Sequence, residues 1–137
     1  MHSVLKNFRQ GKYNSNPYPY IVIDNALPWD YYNQLNESFP EYDKIINNRE
    51  YFQNFAYRKN AAESLSDKDI PKIWKSFVRY HTSYNFVKEI FHIFGKDIIN
   101  NYPPMKNNLV QEHHCGVRFL EKNDFNLDTQ FVINTPV

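Results

Sequence analysis

The chain has 137 residues, with 16 basic and 15 acidic side chains and a formal net charge of +1. This is the length of one domain, and the near-neutral charge gives no bulk attraction to nucleic acid or to an anionic membrane surface. Cys115 is the single cysteine, which excludes an intramolecular disulfide and favours a reducing compartment. No apolar stretch approaches the ~20 residues of a membrane span. We therefore expect a cytoplasmic globular domain with no nucleic-acid partner and no membrane partner.

Residues 1–18 are typical of a polar N-terminal arm. Three basic side chains in it suit either a phosphate contact or a solvated terminus, and we expect the solvated terminus: Lys6, Arg9 and Lys12. Residues 20–23 (YIVI) are continuously apolar and predict a strand covered on both faces. Pro28 can open the helix that follows, and Pro40 ends it. Its apolar side chains recur at helical spacing: Tyr31, Tyr32, Leu35 and Phe39.

Residues 41–68 are polar, and residues 51–57 fit either a strand or an irregular aromatic loop. Ser66 and Asp69 have the spacing of a capping box and predict the start of a helix. The strongest amphipathic pattern in the chain follows at once, formed by Ile70, Ile73, Trp74, Phe77 and Val78.

A second helix is predicted after Thr82-Ser83, where Gly95 offers a stop or a kink. One face of this helix carries Val87, Ile90, Phe91 and Phe94, so we expect the two helices to pack on a common layer. Pro103-Pro104 ends the helical part of the chain.

Strands are predicted near Leu109–Leu120 and over residues 129–133. Strands gathered after a helical layer favour an α+β fold over a parallel doubly wound sheet. Because two strands alone make a marginal sheet, we expect further strands after Val137. An exposed sheet edge of this kind also predicts self-association.

Glu112-His113-His114-Cys115 is the one cluster of metal-ligating residue types. If it forms a strand, alternate side chains point to opposite faces and cannot surround one ion without a sharp turn. A metal site and the rim of a sheet both remain open. None of the five histidines is followed two positions later by Asp or Glu: His2, His81, His92, His113 and His114.

Other catalytic patterns are weak. Cys115 has two neighbouring histidines, but adjacency in sequence does not place a thiolate and an imidazole together in space. An inert thiol and a nucleophile both stay open, with the inert thiol expected. Three glycines, at positions 11, 95 and 116, do not build a phosphate-binding loop. The residues themselves indicate no catalytic constellation.

Three parts of residues 19–137 nevertheless carry a family resemblance. They are PYIVIDNALP at 19–28 with Ser38-Phe39-Pro40; Trp74-Lys75-Ser76-Phe77 with Ser83-Tyr84-Asn85-Phe86 and Ile93-Phe94-Gly95; and Val117-Arg118 with residues 128–137. Together they resemble the N-terminal portion of the non-haem iron(II), 2-oxoglutarate-dependent oxygenases. In particular, they are similar to the prolyl-hydroxylase-like members that are common in marine bacteria and their phages.

The resemblance implies an α+β fold in which an N-terminal strand and a helical support layer lead into the first strands of a double-stranded β-helix (jelly roll). It also implies a hydroxylase that uses Fe(II) and 2-oxoglutarate on an unknown substrate. In that family a His-x-Asp/Glu pair, a later His and a basic residue hold the iron and the cosubstrate, and all four positions are expected beyond Val137. No catalytic, cofactor-binding or metal residue is therefore assigned within this chain, and the chain alone is not expected to bind either cofactor.

The roles of two polar side chains near the last strand remain open. Gln130 and Asn134 either line a pocket or, as we expect, satisfy backbone groups at the strand ends. Two other functions also remain open. One is a small non-enzymatic binding protein derived from the same fold, and the other is a self-contained enzyme that uses residues 113–115.

Overall fold

The computed structural model describes residues 2–106 and 110–137 and has an α+β fold. Within these residues the strands pair as three separate two-stranded sheets, β1–β2 and β3–β6 antiparallel and β4–β5 parallel. The strands are β1 (Lys12–Asn14), β2 (Tyr20–Val22), β3 (Ala56–Lys59), β4 (Cys115–Val117), β5 (Phe125–Leu127) and β6 (Phe131–Asn134). The helices are α1 (Trp29–Glu37), α2 (Tyr42–Ile46), α3 (Ala61–Ser66), α4 (Lys72–His81) and α5 (Tyr84–Asn101), and short 3-10 turns cover Phe8–Gln10, Pro103–Lys106 and Glu112–His114.

The N-terminal segment differs from its sequence-based prediction. Lys6, Arg9 and Lys12 are exposed, as expected for a solvated terminus, but residues 12–14 pair with residues 20–22 in a hairpin and Ser3 is buried, so the segment is not a free polar arm. The prediction that β2 is covered on both faces is wrong, because Val22 is 51% exposed. The hairpin is fastened to α5 by the Tyr13 hydroxyl, which donates a hydrogen bond to Asp97. This bond raises the pKa of Tyr13.

Helix α1 confirms its prediction: it begins after Pro28, buries Leu35 and ends before Pro40. The helix start predicted at Ser66–Asp69 is wrong. The capping box lies at the start of α3, where Asn60 accepts from the Glu63 N–H at 2.8 Å and Glu63 accepts from the Asn60 N–H at 2.9 Å. The capping box is therefore formed by Asn60 and Glu63, and it begins six residues before Ser66, where the sequence predicted it.

Helices α4 and α5 lie where the apolar periodicity predicts them, and they contact each other. Ser83 begins α5 by accepting a hydrogen bond from the Phe86 N–H. Gly95 does not stop the helix, which continues to Asn101, so the first of the two roles expected for it is wrong. One internal glycine costs about 1 kcal/mol of helix stability, which an 18-residue helix can absorb.

The core lies between the helices and the β3–β6 sheet. Tyr57 of β3 faces Ile133 of β6 in the register, and its ring is fully buried with Ile45 and Val78. Its hydroxyl is satisfied as well, because it donates to the carbonyl of Glu50 at 2.5 Å. The terminal strand predicted over residues 129–133 is thus present as β6, and its partner is β3 from the middle of the chain.

The strand predicted near Leu109–Leu120 is only partly present. Leu109 lies outside the described residues, Glu112–His114 forms a 3-10 turn, and only Cys115–Val117 is extended. A double-stranded β-helix is not formed by the described residues and stays a prediction. Among the helices of the part described, none combines the length and the apolar character needed to cross a bilayer.

Candidate functional site

The His113 and His114 rings lie on a 3-10 turn with 4.0 Å between centroids and 58° between planes, so they contact each other without stacking. The alternation expected for a strand is therefore wrong here. His114 Nε2 lies 3.9 Å from a carboxylate oxygen of Asp124, beyond hydrogen-bond distance. Burial raises the pKa of the Cys115 thiol, which disfavours the reactive thiolate. Residues 112–115 thus include the residue types of a metal or nucleophilic site, but their side chains are not arranged as such a site requires.

Within the part of the chain that the structure describes, the metal-ligating side chains do not fit an iron(II) site. In residues 2–106 and 110–137, no three His, Cys, Asp or Glu side chains gather closely enough to hold a metal ion. The His114–Asp124 pair supplies one imidazole and one carboxylate, whereas the facial triad of non-haem iron needs two histidines and a carboxylate. No step of oxygenase chemistry is therefore assigned to these side chains.

Gln130 joins a polar chain at the start of β6. Its Oε1 accepts from Arg58 at 3.1 Å, and its Nε2 donates to Asp128 at 2.6 Å. Asp128 in turn accepts from the Ala61 N–H at 2.9 Å and lies 3.8 Å from the Arg118 guanidinium. Gln130 thus bonds two side chains instead of the strand-end backbone groups expected for it. Asn134 is exposed at the other end of β6.

The sequence analysis missed a partly buried polar cluster. The Ser3–Glu89 cluster, which consists of Ser3, Tyr80, His81 and Glu89, joins the N-terminal segment to α4 and α5. Both the Ser3 and the Tyr80 hydroxyls donate to the Glu89 carboxylate, Tyr80 at 2.7 Å. Burial and then the bond to Glu89 raise the pKa of Tyr80 to about 12. Ser3 also accepts from the Leu5 N–H at 3.1 Å.

His81 is also buried in this cluster, with 7% of its surface exposed. Its Nδ1 lies 2.8 Å from the Phe77 carbonyl and so carries the proton, while Nε2 accepts from the Val4 N–H at 3.2 Å. Burial lowers the pKa of His81, which favours this neutral form. The sequence contained one signal, because position 81 continues the apolar stripe of α4; nothing local marked Ser3 as buried.

The other two histidines lie in different surroundings. The ring of His2 contacts the ring of Tyr31, with 4.5 Å between centroids, and exposed His92 meets the edge of Phe8 at 5.2 Å. The five histidines are therefore not gathered into one site.

Trp29 is the other conspicuous surface feature, because 71% of this large apolar side chain is exposed. Its ring stacks on Tyr32, with 5.8 Å between centroids and 28° between planes. The pair lines a cavity of about 320 Å³ together with Val4, Asn25, Ala26 and Leu27. An apolar, aromatic cavity of this kind can bind a small ligand or an apolar side chain.

Comparisons of the chain with protein-family models, with curated proteins and with solved structures find no match.

Proposed function

We propose that this chain forms the N-terminal support layer of an iron(II)- and 2-oxoglutarate-dependent oxygenase domain, whose metal and cosubstrate ligands lie outside residues 1–137. In this role the chain supplies packing for a jelly-roll sheet and none of the iron chemistry. The support comes from the sequence resemblance together with one feature of the core.

That feature is an aromatic junction of Phe39, Trp74 and Phe131. Each comes from a different one of the three stretches that carry the resemblance. Phe131 contacts Trp74 at 4.9 Å and Phe39 at 5.6 Å, and Phe39 contacts Trp74 at 5.5 Å between ring centroids. All three contacts are edge-to-face, the geometry that aromatic rings favour. Stretches that resemble one family in sequence thus share one packing centre.

The edges of the β3–β6 sheet support the same proposal. On the β3 side, the Arg49 guanidinium donates to the Arg58 carbonyl at 2.9 Å and covers that edge. In the described residues β3 is the one strand paired with β6, so the other edge of β6 has no strand partner there. A jelly roll whose next strand pairs there would extend the sheet from β6 and away from Arg49.

The encoding DNA beyond the codon for Val137 gives the first test. The proposal expects a continuing frame with His-x-Asp or His-x-Glu, then a later His and a basic residue. The longer protein should then form succinate from 2-oxoglutarate in the presence of Fe(II). A stop codon with no frameshifted remnant beyond it rules out oxygenase activity for this chain.

Variants of the longer protein would test the support role. Phe131→Leu in the aromatic junction should lower both thermal stability and succinate formation, because β6 leads towards the proposed metal segment. Phe119→Leu is the matched control, since that ring is 68% exposed. Equal activity of the two variants would contradict a supporting role for the junction.

The exposed Trp29–Tyr32 pair favours a second candidate, a small non-enzymatic binding protein. This candidate expects residues 1–137 to be monomeric and to unfold cooperatively, whereas an oxygenase portion with an open sheet edge should self-associate. Sedimentation velocity over a range of concentrations and urea unfolding at two protein concentrations separate the two candidates.

A further inference from the structure

His81 lies at a junction of three parts of the chain. Its Nε2 accepts a hydrogen bond from the Val4 N–H, and its backbone carbonyl accepts one from the Thr129 hydroxyl at 3.1 Å. Its ring packs on the rings of Phe77 and Phe86, with 3.9 Å and 4.6 Å between centroids. The N–H of Val4 is thus held by an acceptor that exists only while the imidazole is neutral.

We propose that His81 is a proton-operated latch for the N-terminal segment: the neutral ring holds residues 3–5 against α4 and α5, and protonation releases them. When Nε2 gains a proton it becomes a donor that faces another donor, the Val4 N–H. Because the Phe77 carbonyl already occupies Nδ1, the ring cannot relieve this conflict by changing tautomer. Release of the segment also withdraws Ser3 from Glu89.

The surroundings of the His81 ring have opposite effects on its pKa: burial lowers it, and the Glu89 carboxylate raises it. Glu89, on α5, is the charged group that faces His81 and favours the imidazolium. Both of its oxygens already accept hydrogen bonds, from Ser3 and Tyr80. Tyr80, on α4, is the other titratable neighbour and stays neutral at physiological pH. The N-terminal segment and residue 129 contribute an uncharged N–H and a hydroxyl.

The direction of the pH effect follows from the lowered pKa of His81. Burial holds the pKa of the docked ring below the ordinary value of about 6.5, and release of the segment should move that pKa towards the ordinary value because water then reaches Nε2. Docking is therefore strongest above pH 6.5 and weakens as the pH falls below that value. One linked proton reduces the docking equilibrium constant by up to about tenfold between pH 7.5 and pH 5.5.

Amide hydrogen exchange of the 137-residue chain, followed by NMR, measures this effect. After correction for intrinsic exchange rates, the protection of the Val4 amide should fall by up to about tenfold from pH 7.5 to pH 5.5. The Leu35 amide in α1 should keep its protection and report the global fold. Constant protection of Val4 over this range would overturn the latch.

Two variants separate the latch from general acid sensitivity. His81→Gln keeps a neutral acceptor and cannot take up the proton, so it should lose the pH response of Val4. His92→Gln is the matched control, because exposed His92 also contacts the N-terminal region, at Phe8, and should keep the response. The latch is rejected if His81→Gln responds to pH as the unmodified chain does.

A reciprocal measurement covers the case in which His81→Gln fails to fold. Ser3→Ala removes a docking bond without touching the ring, so the pKa of His81 read from its imidazole NMR signals should rise towards the ordinary value. An unchanged pKa contradicts coupling between docking and protonation.

Discussion

The ring of Phe131 in β6 meets the ring of Trp74 in α4 with 4.9 Å between centroids and 68° between planes. The Trp74 indole N–H also donates to the Leu35 carbonyl at 3.0 Å, which ties the same side chain to α1. A strand and two helices therefore meet at one tryptophan.

Phe131→Ala should destabilise the chain by about 3–5 kcal/mol, because it removes a buried ring from the aromatic junction and leaves a cavity. Phe119→Ala removes the same atoms from an exposed ring and should change stability by less than about 0.5 kcal/mol. Urea unfolding measures both. Similar losses of unfolding free energy in the two variants would mean that the aromatic junction does not stabilise the core.

Asn60→Ala should cost about 1 kcal/mol, because it deletes the side-chain acceptor of the capping box that begins α3. Ser66→Ala should cost less than about 0.5 kcal/mol, since Ser66 lies in the last turn of that helix and only bonds back to carbonyls such as that of Ala62. Thermal unfolding would decide between the two positions. A larger loss for Ser66→Ala would restore the capping role predicted for it from sequence.

The Lys59–Asp67 ion pair should matter more than the Lys44–Asp69 pair. The Lys59 side chain is 7% exposed and lies 2.9 Å from Asp67, whereas both partners of the second pair are well exposed. Asp67→Asn leaves a buried ammonium unpaired and should cost about 3 kcal/mol at pH 7. Asp69→Asn should cost less than about 1 kcal/mol. Equal costs, measured by urea unfolding, would contradict this ranking.

The same pair predicts a pH dependence. The hydrogen bond from Lys59 lowers the pKa of Asp67, so its contribution to stability is present above the ordinary carboxyl value and is lost as the pH falls through the lowered value. The unfolding free energy should therefore fall less steeply below pH 4 in Asp67→Asn than in the unmodified chain. Identical acid slopes in the two proteins would exclude this contribution.

Gly95→Ala should stabilise the chain by about 0.5–1 kcal/mol, because alanine favours the helix and the added Cβ meets only the Phe91 ring, at 3.9 Å. Gly11→Ala should destabilise it by about 1–3 kcal/mol, because its Cβ would lie 2.8 Å from the Val22 carbonyl oxygen in the N-terminal hairpin. Differential scanning calorimetry tests both signs. A destabilising Gly95→Ala would show that the helix needs a glycine at that position.

Helices α1, α4 and α5 could be predicted because their signals are local. Apolar side chains recur at helical spacing within each segment, and Pro28, Pro40 and Ser83 mark boundaries through their own backbone chemistry. The α+β class follows from the order of these helices and the later strands. The strand propensity of β6 could also be predicted from local sequence, because its β-branched and aromatic residues are consecutive.

Strand pairing and burial depended on tertiary structure. β6 pairs with β3 across most of the chain, and no local pattern identifies so distant a partner. The Ser3–Glu89 cluster likewise needed the fold, because a serine in a polar arm becomes buried only when α4 and α5 present a carboxylate and an imidazole to it. The sequence by itself determined helices α1, α4 and α5 and the extended character of β6, because their signals are local. The packed core decided which of them meet, because contacts between distant residues depend on how all the elements fill space together.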